Sequence, residues 1–112
     1  MNIPTSWPGD ADGDVLRRLQ ARAFDFSSKH EIEFNADFEE WPPHPSAIAW
    51  LESKYSSVEV RQPEAGFSGY IQFKVLAKLS YELVMQTQCE ATLGTEEYGG
   101  VCESWGVLQQ AP

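Results

Sequence analysis

An alternating stretch at residues 29–38 constrains the fold of this chain more than any other feature. Side chains of one parity are His30, Ile32, Phe34 and Ala36, and those of the other parity are Glu31, Glu33, Asn35 and Asp37. Because successive side chains of a strand point to opposite faces, the stretch predicts a half-buried strand with a polar, acidic outer face. Such a strand belongs in a sheet that is covered on its apolar side.

Three other segments have the apolar spacing of amphipathic helices. The first follows Asp14, and either Asp12 or Asp14 is expected to cap it, because a carboxylate accepts from the free amides at a helix start. Ser46 is expected to cap a second, short helix after a proline-rich loop. Ser80 is expected to cap a third, longer helix, which ends at the glycines within residues 94–99.

A hairpin is predicted between the second and third helices. Residues 58–61 alternate between apolar and polar side chains, and residues 62–66 contain the proline and glycine of a turn. Phe67 is then expected to begin a strand whose apolar face continues through Ile71 and Phe73.

The segment from Tyr98 to Gly106 contains a glycine pair and a tryptophan. A glycine can end the preceding helix because it accepts the left-handed conformation of a helix C-cap. In the strand that follows, regular alternation would place Val101 and Trp105 on one face, and Cys102 and Ser104 on the other. Trp105 is expected to pack in the core, and the alternative is an exposed aromatic side chain that binds a partner.

The order of these elements predicts the fold class. It is α+β, a ferredoxin-like antiparallel sheet (β-α-β-β-α-β) preceded by an N-terminal helix. The last two helices would cover one face of the sheet and leave the other for the N-terminal helix, a dimer mate or solvent. We expect a flexible N-terminal arm at residues 1–11, a single domain at 12–107 and a C-terminal tail at 108–112.

The net charge of the chain limits the kinds of partner that it can bind. Lys and Arg number 8 against 17 Asp and Glu, a net charge of −9 that repels nucleic acid and anionic membranes. We therefore expect no direct nucleic-acid binding and no membrane binding. The sequence has no run of about 18 apolar residues and no signal-peptide pattern at its N-terminus, so we expect a cytoplasmic protein.

Glu31, Glu33, Asp37, Glu39 and Glu40 lie within ten residues that contain no base. No Lys or Arg follows Lys78 either, although five glutamates do, namely Glu82, Glu90, Glu96, Glu97 and Glu103. Folding could gather them into a surface for a basic protein partner, or they could form a solvated face.

Groups that could carry catalysis or bind a metal are sparse. His30 falls on the apolar side of its strand and is expected to be packed and hydrogen-bonded, whereas His44 lies in a loop between prolines. Glu31 and Glu33 form a carboxylate pair of an ordinary kind for an exposed strand face. We expect no catalytic residue, no metal site and no cofactor.

The sequence resembles the RraB family, regulators of ribonuclease E activity, over about residues 12–107. The resemblance rests on Asp12-Gly13-Asp14 before Val15 and Leu16, on a first strand ending in Phe34, and on Tyr98-Gly99-Gly100 followed by Trp105-Gly106. Members usually close with an aspartate-glycine-tryptophan step, where this chain has Glu103-Ser104-Trp105.

The resemblance implies a small, non-enzymatic α+β protein that binds this endoribonuclease and lowers its activity through an arginine-rich region of the enzyme. On that hypothesis the contact residues are Glu31, Glu33, Asp37, Glu39, Glu40 and Trp41. Two alternatives remain: an immunity or antitoxin-like inhibitor of a basic toxin or nuclease, and an enzyme or small-ligand-binding domain on the same fold. Sheet edges also leave homodimerisation open.

Overall fold

The computed structural model describes residues 7–107. Residues 1–6 of the arm expected at 1–11, and the tail expected at 108–112, lie outside this range. The remainder of the expected arm includes Asp10, the N-cap of the first helix, and Ala11, its first residue. Three helices and four strands follow one another in the order α1 (Ala11–Ala21), β1 (Lys29–Phe38), α2 (Pro45–Lys54), β2 (Ser56–Arg61), β3 (Tyr70–Lys78), α3 (Tyr81–Thr95) and β4 (Gly100–Val107), with a 3₁₀ turn at Glu96–Tyr98 before β4.

The four strands form one antiparallel sheet in the order β2-β3-β1-β4. Helix α2 connects β1 to β2 across β3, and α3 connects β3 to β4 across β1. Each connection therefore joins two parallel strands that are separated by a third, antiparallel one, which is the split β-α-β arrangement. The predicted fold class is confirmed.

All three helices cover the same face of the sheet. Ile32, Phe34 and Phe73 point from β1 and β3 into one apolar cluster that also contains Leu16 from α1 and Val84 from α3. Phe34 and Phe73 face each other in register and stack at 5.5 Å between ring centroids. Helix α1 therefore does not occupy the second face of the sheet, and no element within residues 7–107 covers that face, which we call the bare face.

The start of α1 differs from the prediction. Asp10 caps the helix by accepting from the backbone N–H of Gly13 at 2.7 Å. Asp12 instead accepts from the indole N–H of Trp105, and Asp14 pairs with Arg17. The aspartate spacing indicated a capped helix correctly, but the helix begins at Ala11, so Asp12 and Asp14 lie within its first turn and Asp10 is the cap.

Of the other two predicted N-caps, Ser46 for α2 is wrong and Ser80 for α3 is confirmed. His44, not Ser46, is the N-cap of α2, where its Nδ1 accepts from the Ser46 backbone N–H at 3.0 Å and Pro45 occupies the first turn. Proline fits at the first helical position because it has no backbone N–H that would need an acceptor there. Ser80 caps α3 as predicted, accepting from the Leu83 N–H at 3.0 Å.

A β-bulge corrects the predicted faces of β4. The register pairs Ala36 with Cys102 but Asn35 with Ser104, so Glu103 is an extra residue. An inserted residue reverses the alternation beyond it. Cys102 and Trp105 consequently share the helix-covered face, where Trp105 is partly buried against the core as predicted.

The strand predicted to begin at Phe67 begins instead at Tyr70. Ile71 and Phe73 are fully buried, as their alternation predicted, but Phe67 lies in the preceding loop and is 78 % exposed. The prediction was wrong because an apolar residue at the right parity does not have to lie within the hydrogen-bonded part of a strand.

Candidate protein-binding site

The loops at one end of the sheet bring several acidic segments together. Phe38 at the end of β1 pairs with Gly100 at the start of β4, and the Glu39 N–H donates to the Gly99 carbonyl at 3.1 Å. Gly99 has a φ of +80°, which a residue with a side chain rarely adopts, so glycine allows the chain to turn from the 3₁₀ helix into β4 here. The loop after β1 thus contacts the turn before β4.

We call this region the acidic end. It contains seven carboxylates, those of Asp37, Glu39, Glu40, Glu64, Glu96, Glu97 and Glu103. Residues 30–53, 62–73 and 79–107 contain no Lys or Arg, so Arg61 is the base nearest to these loops in the sequence. Its guanidinium already bonds the Glu59 carboxylate at 2.6 Å and the Gln72 amide oxygen at 3.1 Å. The acidic end therefore carries a large uncompensated negative charge.

Burial and a neighbouring charge both act on one carboxylate of the acidic end, that of Asp37. Partial burial raises the pKa of the Asp37 carboxyl above its usual range, and the nearby Glu103 carboxylate raises it further. Both causes disfavour the charged form. A cation bound at this end would weaken the second cause, the repulsion between the Asp37 and Glu103 carboxylates.

A groove of about 500 Å³ opens beside the acidic end, between the loop after β1 and the β2–β3 loop. Its aromatic lining is provided by Phe38, Trp41 and Phe67, and its acidic lining by Glu39 and Glu64. Neither of these two glutamates is within ion-pair distance of a base in the part of the chain that the structure describes.

Trp41 is fixed in this groove by two contacts. Its ring lies directly on Gly69, where a Cβ atom would come within 2.7 Å of the indole carbons. Its indole N–H donates to the Gln62 side-chain oxygen at 3.1 Å. The glycine therefore allows the aromatic ring to lie flat on the β2–β3 loop.

The tip of the β2–β3 loop is a tight turn. Glu64 and Phe67 exchange backbone hydrogen bonds across it, and Gly66 between them has a φ of +85°. Glycine is favoured at such a position because it has no Cβ to clash. The turn sets the Phe67 ring and the Glu64 carboxylate on the same wall of the groove.

The six residues predicted to contact a partner fall into two groups. Asp37, Glu39, Glu40 and Trp41 all lie at the acidic end. Glu31 and Glu33 stand on the bare face of the sheet, where Glu31 pairs with Leu76 and Glu33 with Lys74 in the register with β3. At about 3.3 Å per residue, Glu31 lies roughly 20 Å from Asp37 along the strand. The carboxylate pair therefore has lysine neighbours, whereas the base nearest to the acidic end in the sequence, Arg61, is already paired with Glu59.

Two side chains of the β2–β3 loop that line the groove, Glu64 and Phe67, were missed from the sequence. Glu64 was hidden in a turn, and Phe67 was assigned to the buried side of a strand. Glycines at 66 and 69 bracket Phe67, and that spacing is a signal for a loop that carries an aromatic residue at its tip.

Both histidines have structural partners. His30 is packed and hydrogen-bonded as predicted, with its Nε2 at 2.8 Å from the Asp25 carbonyl oxygen and its ring against Phe24. His44 is exposed and stacks on Tyr98. Over residues 7–107 no three His, Cys, Asp or Glu side chains converge as metal ligands, and no helix there has the length and apolarity to cross a membrane.

Fold and site together define a small, acidic α+β protein with a ferredoxin-like sheet that is bare on one face. The family model of RraB, described as Regulator of ribonuclease activity B, matches residues 9–107, and the chain belongs to that family. It is a family of regulators and not a catalytic one. No curated protein matches the chain.

Proposed function

We propose that this protein lowers the activity of an endoribonuclease of the ribonuclease E type by binding a basic segment of the enzyme at the acidic end. It acts by protein–protein contact and performs no chemistry of its own. Family membership supports the ribonuclease as the target. The observation that supports the surface is the gathering of seven carboxylates, with a single, already paired arginine nearby.

Electrostatics supplies the physical basis. Opposite charges across an interface steer the encounter and speed association, and the effect weakens as salt shortens the Debye length from about 10 Å at 0.1 M to about 3 Å at 1 M. Carboxylates can also form bidentate bonds with arginine side chains. The same charge repels RNA, so the protein would bind the enzyme and not its substrate.

The test compares two pairs of charge reversals. We expect Glu39→Lys with Glu40→Lys to reduce both binding to the ribonuclease and inhibition of RNA cleavage by about tenfold, since each change replaces an attraction by a repulsion. Glu31→Lys with Glu33→Lys should have a smaller effect, because these residues already have Lys74 and Lys78 near them on the bare face. Glu52→Lys with Glu82→Lys, at exposed positions on α2 and α3, is the control with the same change in net charge.

Binding is measured by capture of the purified ribonuclease on the tagged protein at low and high salt, and inhibition by the rate of RNA cleavage. Equal loss with the control and the acidic-end pair would make the surface wrong. Capture of a different basic nuclease from lysate, with no effect on the ribonuclease, would favour an immunity-type inhibitor instead.

A further inference from the structure

The groove beside the acidic end combines two kinds of side chain that are rarely left exposed together. Phe67 is 78 % exposed, although its ring has no polar atom. Glu39 and Glu64 line the same groove and pair with no base among residues 7–107. Large exposed aromatic side chains that are bordered by charge are typical of surfaces that bind another protein.

We propose that this groove receives the guanidinium group of one arginine from the partner's basic segment, held between Trp41 and Phe67 and bonded by Glu39 and Glu64. The inference rests on the proposed function, and it assigns to that surface a site for one defined side chain.

The chemistry of the lining selects arginine over the other basic residue. A guanidinium is planar, stacks on aromatic faces and presents a fork of donors that a carboxylate can accept, whereas a lysine ammonium is a strongly hydrated point charge. A purely apolar side chain would leave both carboxylates partly desolvated and unpaired, which costs free energy. A volume of about 500 Å³ accommodates one arginine side chain with its flanking backbone.

The groove is also largely formed in advance. Gly69 and Gln62 fix the Trp41 ring, and the turn closed by Glu64 and Phe67 fixes the opposite wall. A site that is already ordered loses little conformational entropy when it binds. We therefore expect the preference for arginine to be a property of the groove itself, separate from the general attraction of the acidic end for positive charge.

The test uses dye-labelled peptides of equal length, in which a serine- and lysine-containing backbone carries Arg, Lys or Leu at its central position. The Arg and Lys peptides have the same charge, and in the Leu peptide one additional lysine replaces a serine at its end so that its charge matches theirs. Binding to the full chain is followed by fluorescence anisotropy. The Arg peptide should bind about tenfold more tightly than the Lys peptide, the size expected for one desolvated cation–π contact with charge-assisted bonds. Phe67→Ser or Glu64→Gln should reduce that preference to less than about twofold, whereas Glu52→Gln should leave it unchanged.

Folding of each variant is checked by circular dichroism, and Phe67 and Glu64 are both exposed, so neither is needed for the core. Equal affinity for the Arg and Lys peptides, or tighter binding of the Leu peptide, would overturn the arginine site. Inhibition of the ribonuclease is measured separately with the same variants. Full inhibition by a Phe67→Ser protein would also refute the site while leaving the proposed function intact, whereas failure of the wild-type protein to bind the ribonuclease would refute the proposed function.

Discussion

Aromatic side chains and carboxylates lie close together in two regions of this molecule, but they are hydrogen-bonded to each other in only one of the two. At the first, which we call the closed end, Tyr81 donates its hydroxyl to Asp10 at 2.7 Å and Trp105 donates its indole N–H to Asp12 at 2.8 Å. At the acidic end, Trp41 donates to Gln62, and the carboxylates of the groove are left without a donor or base among the described residues.

The difference separates carboxylates that hold the fold from carboxylates that are free to bind. At the closed end the bonds join α1 to α3 and β4, and the hydroxyl of Tyr81 and the N–H of Gly13 lower the pKa of Asp10. At the acidic end the pKa of Asp37 is raised. Carboxylates at the closed end thus stabilise the folded chain, whereas burial and the charge of Glu103 disfavour the ionised form of Asp37 at the acidic end.

Trp105→Ala should have the largest effect on stability, because it removes a partly buried ring and leaves Asp12 without its donor. We expect a loss of about 3 kcal/mol in the free energy of unfolding, at the low end for tryptophan because the ring is not fully buried. Phe67→Ala should change it by less than about 0.5 kcal/mol, as is usual for exposed positions. Urea unfolding measures both, and similar losses in the two variants would contradict the distinction.

Gly69→Ala adds only one methyl group, but it should strongly affect the groove beside the acidic end. The new Cβ would lie 2.7 Å from the Trp41 ring, so the ring must move out of its place in the groove. We expect a loss of about 1 kcal/mol in stability from overpacking and an affinity for the arginine peptide reduced by about tenfold.

Gly106→Ala is the matched control, because a Cβ atom at that glycine of β4 meets nothing within 4 Å. The same anisotropy and urea measurements apply to both variants. Unchanged peptide binding in Gly69→Ala would show that the position of Trp41 does not matter to the groove.

Much of this fold follows from local sequence signals. The alternation at residues 29–38 predicted β1 with its buried and exposed sides, the serine at 80 predicted the cap of α3, and the glycine pair predicted where the helical segment before β4 ends. Each of these features depends on side chains within a few residues of one another, so the sequence alone carries the information.

The features that could not be predicted depend on contacts between distant residues. Asp12 accepts from the indole N–H of Trp105, 93 residues away, and no local pattern indicates that contact. The bulge at Glu103 becomes visible only when β4 is paired with β1. The groove exists because Trp41 lies on Gly69, and no spacing rule connects a loop tryptophan to a glycine in another loop.

The smallest expected effect concerns how stability depends on pH, which should differ in sign between Asp10 at the closed end and Asp37 at the acidic end. The folded pKa of Asp10 is lowered below its unfolded value, so its contribution to stability is present above about pH 4 and is lost as the pH falls through the folded pKa. Tyr81→Phe removes the largest cause of that shift. Its stability should therefore be lower than that of the wild-type protein at neutral pH, and the gap should narrow on acidification.

Asp37 should behave in the opposite way. Its folded pKa is raised, so ionisation above about pH 4 costs stability, and the cost disappears as the pH falls below the unfolded value. Asp37→Asn should then stabilise the protein at pH 7 by roughly 0.3 kcal/mol, a small gain because solvent screens an exposed carboxylate. Urea midpoints of the two variants and the wild-type protein between pH 3 and pH 7 test both signs. A destabilised Asp37→Asn at neutral pH would mean that this carboxylate supports the fold, as those of the closed end do, and does not add to the repulsion that a basic partner would relieve.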